Sequence, residues 1–445
     1  MNSLMKQMRA LVAVLLALAL APLAVGQTPA GGASAAPDHL VLTWTGDPAA
    51  TQTITWRTDT TVKSGVVQFQ AGKALTEAKE AKATPREFAT DLGPTRLFTA
   101  TLAGLTPQTT YTYRVGDGGR WSPMHTFSTA ARDAAAFAFL VFGDSQSGAR
   151  QPIYAPWEKT ARNAYRAHPE SKFLINVGDL VEVGQSAAHW DAWFAAAQGV
   201  VDTIPEMAVE GNHETYSLKP DPTNPGKLKL TPGKPSFWIA QFALPQNGPE
   251  ELKGQVYSFD YGPAHFVVLD SQQEEEQGDM LTAQQAWLKA DLAASRATWK
   301  LVFFHKPPYG VSPLRPNAEV RQAFCPIFDA YHVDLVFNGH DHAIARTYPM
   351  KKGRLVQKPS QGTVYYVVGR SGNKVYSAAA KRPFHAFVYN PVDQPNYLFV
   401  EVTRTRLVVT TVKQDGTILD AFSSDKADDV DSDSVRALPA AAASR

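Results

Sequence analysis

Phe137-Ala138-Phe139-Leu140-Val141-Phe142-Gly143-Asp144-Ser145-Gln146 is an unbroken apolar run that stops at a glycine and a carboxylate. A run this short and apolar at every position fits a strand buried on both faces, which requires a sheet covered by helices. The pattern recurs along the chain. Phe173-Leu174-Ile175-Asn176-Val177 leads into Gly178-Asp179, and Met207-Ala208-Val209 leads through Glu210 into Gly211-Asn212-His213-Glu214. Leu301-Val302-Phe303-Phe304 meets His305, and Leu335-Val336-Phe337 leads into Gly339-His340-Asp341-His342. His265 to Leu269 and Val364 to Val368 are further runs of this kind. Helical periods fit between them. One begins at Thr282, which pairs with Gln285 as a capping box while Leu281, Leu288 and Leu292 share one side. Another covers Ala318 to Tyr331. Residues 136–422 therefore read as one layered α/β domain, with β-sheets flanked by helices.

In open α/β sheets the ligand crevice lies at the carboxyl ends of the strands, so these five loops can converge on one site. The glycines before Asp144, Asp179, Asn212 and His340 let the backbone turn and aim the next side chain inward. The donors are carboxylate oxygen, amide oxygen and imidazole, without thiolate. That set suits Mn, Fe or Zn in five- or six-coordinate sites and disfavours a structural zinc cage. His340 and His342 point in opposite directions if their segment is extended, but on a tight turn they can reach two neighbouring ions. A single histidine at a strand end is usually a hydrogen-bonded structural residue; the weight lies in the series.

Residues 38–130 follow another rule. Leu40–Trp44, Thr53–Trp56, Val66–Phe69, Leu97–Leu102 and Tyr111–Val115 are short runs rich in β-branched and aromatic residues, separated by Gly, Pro and Asp. Only Ala74 to Ala83 offers a helical period. Several strands at this spacing predict an all-β sandwich.

The remaining stretches bound the setting. Lys6 and Arg9 precede an apolar run from Ala10 to Val25 that ends in small residues, the layout of a signal peptide over 1–26 followed by a Gly/Ala/Pro-rich linker over 27–37. The run is short for a membrane span, so a secreted or periplasmic protein with no stable membrane anchor after cleavage is expected. Cys325 is the only cysteine, which rules out an internal disulfide, and its apolar neighbours suggest a packed thiol. A net charge of +1 over 445 residues gives no field to recruit a nucleic acid scaffold. Residues 423–445, acidic and then Ala-rich, read as a disordered tail.

Taken in order, Gly143-Asp144, Gly178-Asp179, Gly211-Asn212-His213-Glu214, His305 and Gly339-His340-Asp341-His342 resemble the motif series of the calcineurin-like metallophosphoesterases. With the sandwich before it, the mature chain is similar to the purple acid phosphatases and their bacterial relatives. Leu102 to Tyr111 resembles the corner before the sixth strand of fibronectin type III domains. The resemblance implies two metal ions (Fe, Zn or Mn). Asp144, Asp179 and His342 would hold the first, and Asp179 would bridge to the second, which takes Asn212, His305 and His340. Asp179 and His213 would be the catalytic pair, His213 contacting phosphate and protonating the leaving group, with Glu214 orienting it. Two departures stand out. Three residues after the bridging aspartate, where purple acid phosphatases have tyrosine, stands Glu182, so the tyrosinate colour should be absent. Gln146 closes the first motif in place of glycine and would offer its amide oxygen to the first ion.

The activity implied is hydrolysis of a small phosphorylated substrate, a monoester, by hydroxide formed between the ions. Phosphodiesterase, phospholipase and nucleotide hydrolase activities use the same donors, and a non-enzymatic reading makes the sandwich a binding module on a decayed scaffold. The intact ligand set argues against decay. The stretch from Tyr216 to Pro235 is either a substrate-selecting lid whose Lys219, Lys227, Lys229 and Lys234 attract phosphate or a solvated loop, and Arg370 is a candidate phosphate-binding arginine with an equal structural alternative. His39, His125, His168, His189, His265 and His332 read as packing or surface residues, and His385 stays open.

Overall fold

The computed structural model describes residues 32–276 and 278–426; the expected signal peptide and the tail beyond 426 lie outside them. The sandwich is built from β1 (Asp38–Thr43), β2 (Gln52–Asp59), β3 (Gly65–Ala71), β4 (Lys79–Thr90), β5 (Gly93–Leu102), β6 (Thr110–Gly116) and β7 (His125–Ser128). Their order is β1-β2-β5-β4-β3-β6-β7, all antiparallel. β4 belongs to both layers, because Lys79–Ala83 pairs with β3 and Thr84–Thr90 pairs with β5. The helix expected over 74–83 is thus partly a strand. Ala81 and Ala83 pack against the core while Glu80 and Lys82 lie outside it, which is a period of two. Trp56 stacks on Phe98 inside, with centroids 5.4 Å apart.

The second domain opens with β8 (Ala136–Phe142) and β9 (Leu174–Asn176). A hairpin follows, β10 (Ser217–Pro220) and β11 (Leu228–Thr231). Next come β12 (Tyr257–Tyr261), β13 (Ala264–Val268), β14 (Trp299–Phe303), β15 (Leu335–Asn338) and β16 (Ile344–Thr347), then a two-residue ladder of β17 (Met350–Lys351) and β18 (Arg354–Leu355). The chain ends in β19 (Val364–Val368), β20 (His385–Tyr389), β21 (Asn396–Thr403), β22 (Arg406–Lys413) and β23 (Ile418–Asp425). β23 runs three residues into the stretch expected to be unfolded, because Ser424 and Asp425 pair with Leu407 and Arg406.

Two sheets stack at the centre, one of order β12-β13-β14-β15-β19-β16-β20 and one of order β23-β22-β21-β8-β9. The all-apolar strands are explained by this stacking. Phe266, Leu301, Phe303, Phe337 and Tyr366 face the other sheet, where Phe266 meets Phe139 edge-on at 5.4 Å. Their alternates Val267, Val302, Val336 and Tyr365 face the helices Met280–Ala294 and Ala318–Tyr331. Leu281, Leu288 and Leu292 are buried there as the spacing predicts, but the first helix starts at Met280, which leaves Thr282 inside it rather than at its cap. Cys325 lies in the second helix, and burial pushes its thiol up to about 12. Helices Ala155–Ala167 and Ala187–Ala197 cover the smaller sheet with Trp157 and Trp193 stacked at 5.8 Å.

The sandwich is fused to this domain rather than tethered. Val41 and Trp44 join the main core, and Leu42 exchanges backbone bonds with Val201 and Glu206 at 2.9 and 2.8 Å. Arg57, buried, binds Asp38 in its own layer and Asp191 across the seam. His39 reaches Gln241 at 2.7 Å and Asp191 at 3.1 Å. It and His189, which is bonded to the Tyr154 hydroxyl at 2.9 Å, are therefore partnered seam and core residues. His265 is structural, held between Asp260 and Asp291 at 2.7 and 2.8 Å. Those carboxylates outweigh burial and raise it to about 9. His385 is buried and bonded to the backbone of Tyr309 and Arg382, away from the expected site.

Candidate metal centre

The strand-end loops converge. β8 delivers Asp144, β9 delivers Asp179, β14 delivers His305, and β15 delivers His340 and His342. Asn212 comes from a segment that is not itself a strand but runs beside β9, with Met207 and Val209 donating to Leu174 and Asn176 at 2.9 Å. The turning is done by the ligands themselves. Asp144, Asp179, His340 and His342 have φ of 52°, 56°, 72° and 55°, the left-handed region that side chains avoid unless the surroundings hold them there. Of the glycines before them only Gly178 shares that geometry (φ 95°). Gly211 is needed for close approach, since a Cβ on it would stand 2.2 Å from the Asp179 amide nitrogen.

Two donor groups form and share one carboxylate: Asp144, Asp179 and His342 on one side, and Asp179, His305 and His340 on the other, with the donor atoms in each group within 4.8 Å of one another. Asp179 Oδ2 lies 3.2 Å from His305 Nε2, while its Oδ1 accepts the His213 amide at 2.8 Å. Asn212 belongs to the second group, its Oδ1 3.1 Å from His305 Nε2 and its nitrogen turned away to the Tyr216 hydroxyl. The imidazoles are oriented from behind, as metal-binding histidines are. His305 Nδ1 bonds to the Val177 carbonyl at 2.9 Å, and His342 Nδ1 to the Lys374 carbonyl at 2.9 Å.

These residues fit cations. His342 Nε2 is buried 3.1 Å from Asp144 Oδ1 without forming a hydrogen bond, a free lone pair beside a carboxylate. Burial disfavours charge on His305, yet the Asp179 carboxylate lifts it to about 9. Burial alone would likewise raise Asp179, but His305 and His213 hold it well below the usual carboxylate range. A place that favours a protonated imidazole against burial is a place that favours a cation. Gln146 is buried beside the first group. With its nitrogen facing Asp179 it donates at 3.1 Å and accepts from Lys374 Nζ at 2.9 Å; the reverse orientation sets acceptor against acceptor at Asp179 and donor against donor at Lys374.

The partners of His213 and Glu214 differ from expectation. Glu214 does not touch the His213 ring. Its carboxylate takes four backbone amides, those of Asp179, Leu180 and Gly211 at 2.8 Å and of Val181 at 3.2 Å, and so ties the Asp179 loop to the Asn212 loop. Burial, then the Asp179 charge, pushes its acid up to about 8 against the pull of those amides. The His213 ring is held by the Glu182 carbonyl at Nδ1 (2.7 Å) and by Lys374 Nζ at Nε2 (2.9 Å), so neither nitrogen presents a proton to the cleft. Glu182 is buried, with Gly148 N–H and Lys374 Nζ each 3.2 Å from its carboxylate.

The centre opens into a cleft of about 410 Å³ lined by Asp179, Asn212, His213, Tyr216, Arg315 and His340, among others. Arg315 donates to the His340 carbonyl at 2.7 Å and lies over the Tyr376 ring at 4.8 Å. Neither was anticipated, nor was Lys374, although Lys374 sits in the loop after β19, where the strand-end rule points. Arg370, the arginine expected there, turns away to brace that loop through the carbonyls of Pro391 and Gly372. The lid expected over 216–235 is the β10–β11 hairpin, and none of its lysines lines the cleft. Beside the Asn212 loop, Glu210, Asp270 and Glu276 gather round the Gln255 amide, which donates to Glu210 at 2.9 Å and Glu276 at 3.1 Å.

A stacked pair of sheets whose strand ends gather acids, an amide and imidazoles about one shared carboxylate is a metal-binding α/β domain. Residues 37–129 match the purple acid phosphatase N-terminal domain and residues 137–343 the calcineurin-like phosphoesterase domain. Purple acid phosphatase 15 of Arabidopsis thaliana is 26% identical over 308 residues, which cover 61% of this chain and 53% of that protein. The chain spans about half the length of the curated relatives it matches. Among solved structures, a purple acid phosphatase from yellow lupin (Lupinus luteus) seeds superposes with a TM-score of 0.73 at 18% identity, covering 88% of this chain and 74% of that one. PhoD superposes with 0.60 at 15% identity, covering 89% and 91%. Residues 37–129 and 137–343 thus carry, in order, the two domains of a purple acid phosphatase-like metallophosphoesterase of the calcineurin type.

Proposed function

We propose that this protein hydrolyses phosphate monoesters at a two-cation centre and that it acts outside the cytoplasm. The observation that carries the first part is the Asp179 carboxylate, which belongs to both donor groups at once. Asp144 and His342 would hold one cation and Asn212, His305 and His340 the other, with Asp179 between and the Gln146 oxygen turned to Lys374. When bound, such a pair lowers the pKa of a shared water and offsets charge on the phosphoryl oxygens. The chain's own residues supply placement. Val177 and Lys374 fix the two imidazoles, Glu214 fixes the loops, and Arg315, tied to the His340 carbonyl and stacked on Tyr376, borders the cleft where a phosphate enters. Charge favours monoesters. Asp144, Asp179 and a monoester dianion supply four negative charges against two divalent ions, whereas a diester supplies one fewer. The leader read over 1–26 supports export, which cell fractionation with an antibody to the mature chain tests.

The activity test is metal analysis with hydrolysis of p-nitrophenyl phosphate and its bis ester. The wild type should hold two cations and prefer the monoester, and Asp179→Asn should lose both ions together. Iron-loaded protein should lack a visible tyrosinate band, because Glu182 stands at that position and burial pushes the Tyr216 phenol up to about 12. Two ions retained by Asp179→Asn, or no cleavage of either ester with any metal, would overturn the reading.

A further inference from the structure

We propose that Lys374 is a built-in counter-charge at the first cation position, cancelling Glu182 and thereby making that position divalent; this rests on the two-cation reading. The lysine side chain is 16% exposed and Glu182 10%, so both charges are largely withdrawn from water. The three donors of the ammonium are all spent on the wall of the site: Glu182 Oε1 at 3.2 Å, His213 Nε2 at 2.9 Å and, with the Gln146 oxygen turned to it, that oxygen at 2.9 Å. The ammonium is also fixed in place. The Lys374 carbonyl takes the Nδ1 proton of His342, and the chain at Gly148 packs so closely that a Cβ there would stand 2.8 Å from the Lys374 Cα. One residue therefore orients a ligand of the first cluster through its backbone and sets the charge beside that cluster through its side chain.

The charge count follows from this. Three carboxylates lie at or beside the first cluster, Asp144, Asp179 and Glu182. With the ammonium against Glu182, two remain, and Asp179 is shared. A trivalent ion there would carry one positive charge with nothing facing it, and in a buried site such a charge is costly. Two divalent ions are matched by Asp144, Asp179 and a bound monoester dianion. His213, with its Nδ1–H committed to the Glu182 carbonyl and its Nε2 accepting from Lys374, is a neutral spacer and adds no charge.

The test uses the full mature protein, equilibrium dialysis against Mn(II) and against Ga(III) as a redox-inert trivalent probe, and elemental analysis. Lys374→Met exposes the Glu182 charge and should raise the preference for Ga(III) over Mn(II) about tenfold or more, the order of one buried charge near an ion. Glu182→Gln leaves the ammonium uncancelled and should weaken Mn(II) binding by a similar factor. The double variant restores the balance and should return to within about threefold of wild type, a rescue that a purely packing role would not give. Lys374→Arg keeps the charge and should keep the preference. Single variants that leave both affinities unchanged, or a double variant showing the sum of both losses, overturn the inference. A wild type that holds fewer than two Mn(II) instead overturns the two-cation reading beneath it.

Discussion

Glu214→Gln gives a sharp test of how the centre is held. The glutamate carboxylate receives four backbone amides, two from the Asp179 loop at Leu180 and Val181 on one oxygen, and those of Asp179 and Gly211 on the other. Glutamine keeps the shape but offers one acceptor oxygen, and its NH2 group confronts two amide donors. Two buried N–H groups then lose their partner, at about 1–3 kcal/mol each, so the variant should be about 2–6 kcal/mol less stable. That is a large share of the ~5–15 kcal/mol by which a folded domain usually exceeds its unfolded chain. Urea unfolding followed by circular dichroism measures it. Because the released amides flank Asp179, metal stoichiometry should fall at urea concentrations well below the main transition. A loss under about 0.5 kcal/mol with metal retained would refute the tie between the two loops.

Two further outcomes follow from buried groups. Glu206 is fully buried with neither oxygen partnered, and burial raises its pKa well above 4.5. The folded state therefore favours the protonated acid, so stability is fully present below the unfolded pKa and is lost as pH climbs toward the folded value, at up to about 1.4 kcal/mol per pH unit. Glu206→Gln should match wild type near pH 4 and exceed it increasingly above neutrality in thermal melts, and parallel pH profiles would contradict this. His213→Asn should slow an alkyl phosphate and p-nitrophenyl phosphate by the same factor, since no ring proton faces the cleft; a loss confined to the alkyl ester, with its poorer leaving group, would return the proton-donor role to His213.

The ligand positions were legible because the strands that carry them are buried on both faces. A strand flanked by two cores carries few polar residues before it leaves the sheet, Asn176 and Asn338 being the last residues of theirs, so Asp144, Asp179, His305 and His340 stand out just beyond. The sandwich was legible from its alternation, except at β4, where Lys and Glu on the outer face mask a strand that serves two layers. Pairings between side chains far apart in sequence left no local mark. Glu182 and Lys374 are separated by 192 residues, and nothing around either one announces the other. Nor did the backbone of Glu214 or His213 reveal what their side chains would meet. β23 was partly missed for a different reason: it is the edge of its sheet, and its last three residues, Ser423, Ser424 and Asp425, have no apolar side chain, so the end of the strand looks like a tail.

The position of β21 has a consequence for the order of events in the life of the molecule. This strand, made of residues 396–403, lies directly against β8, whose last residue is two positions before Asp144. A chain that stops at residue 395 contains every donor of the centre but not the neighbour that aligns the first of them. Stable capture of ions is therefore expected only once β21 has paired with β8, and a nonsense codon as late as position 395 should yield a product with all its chelating residues and no stable place to hold them.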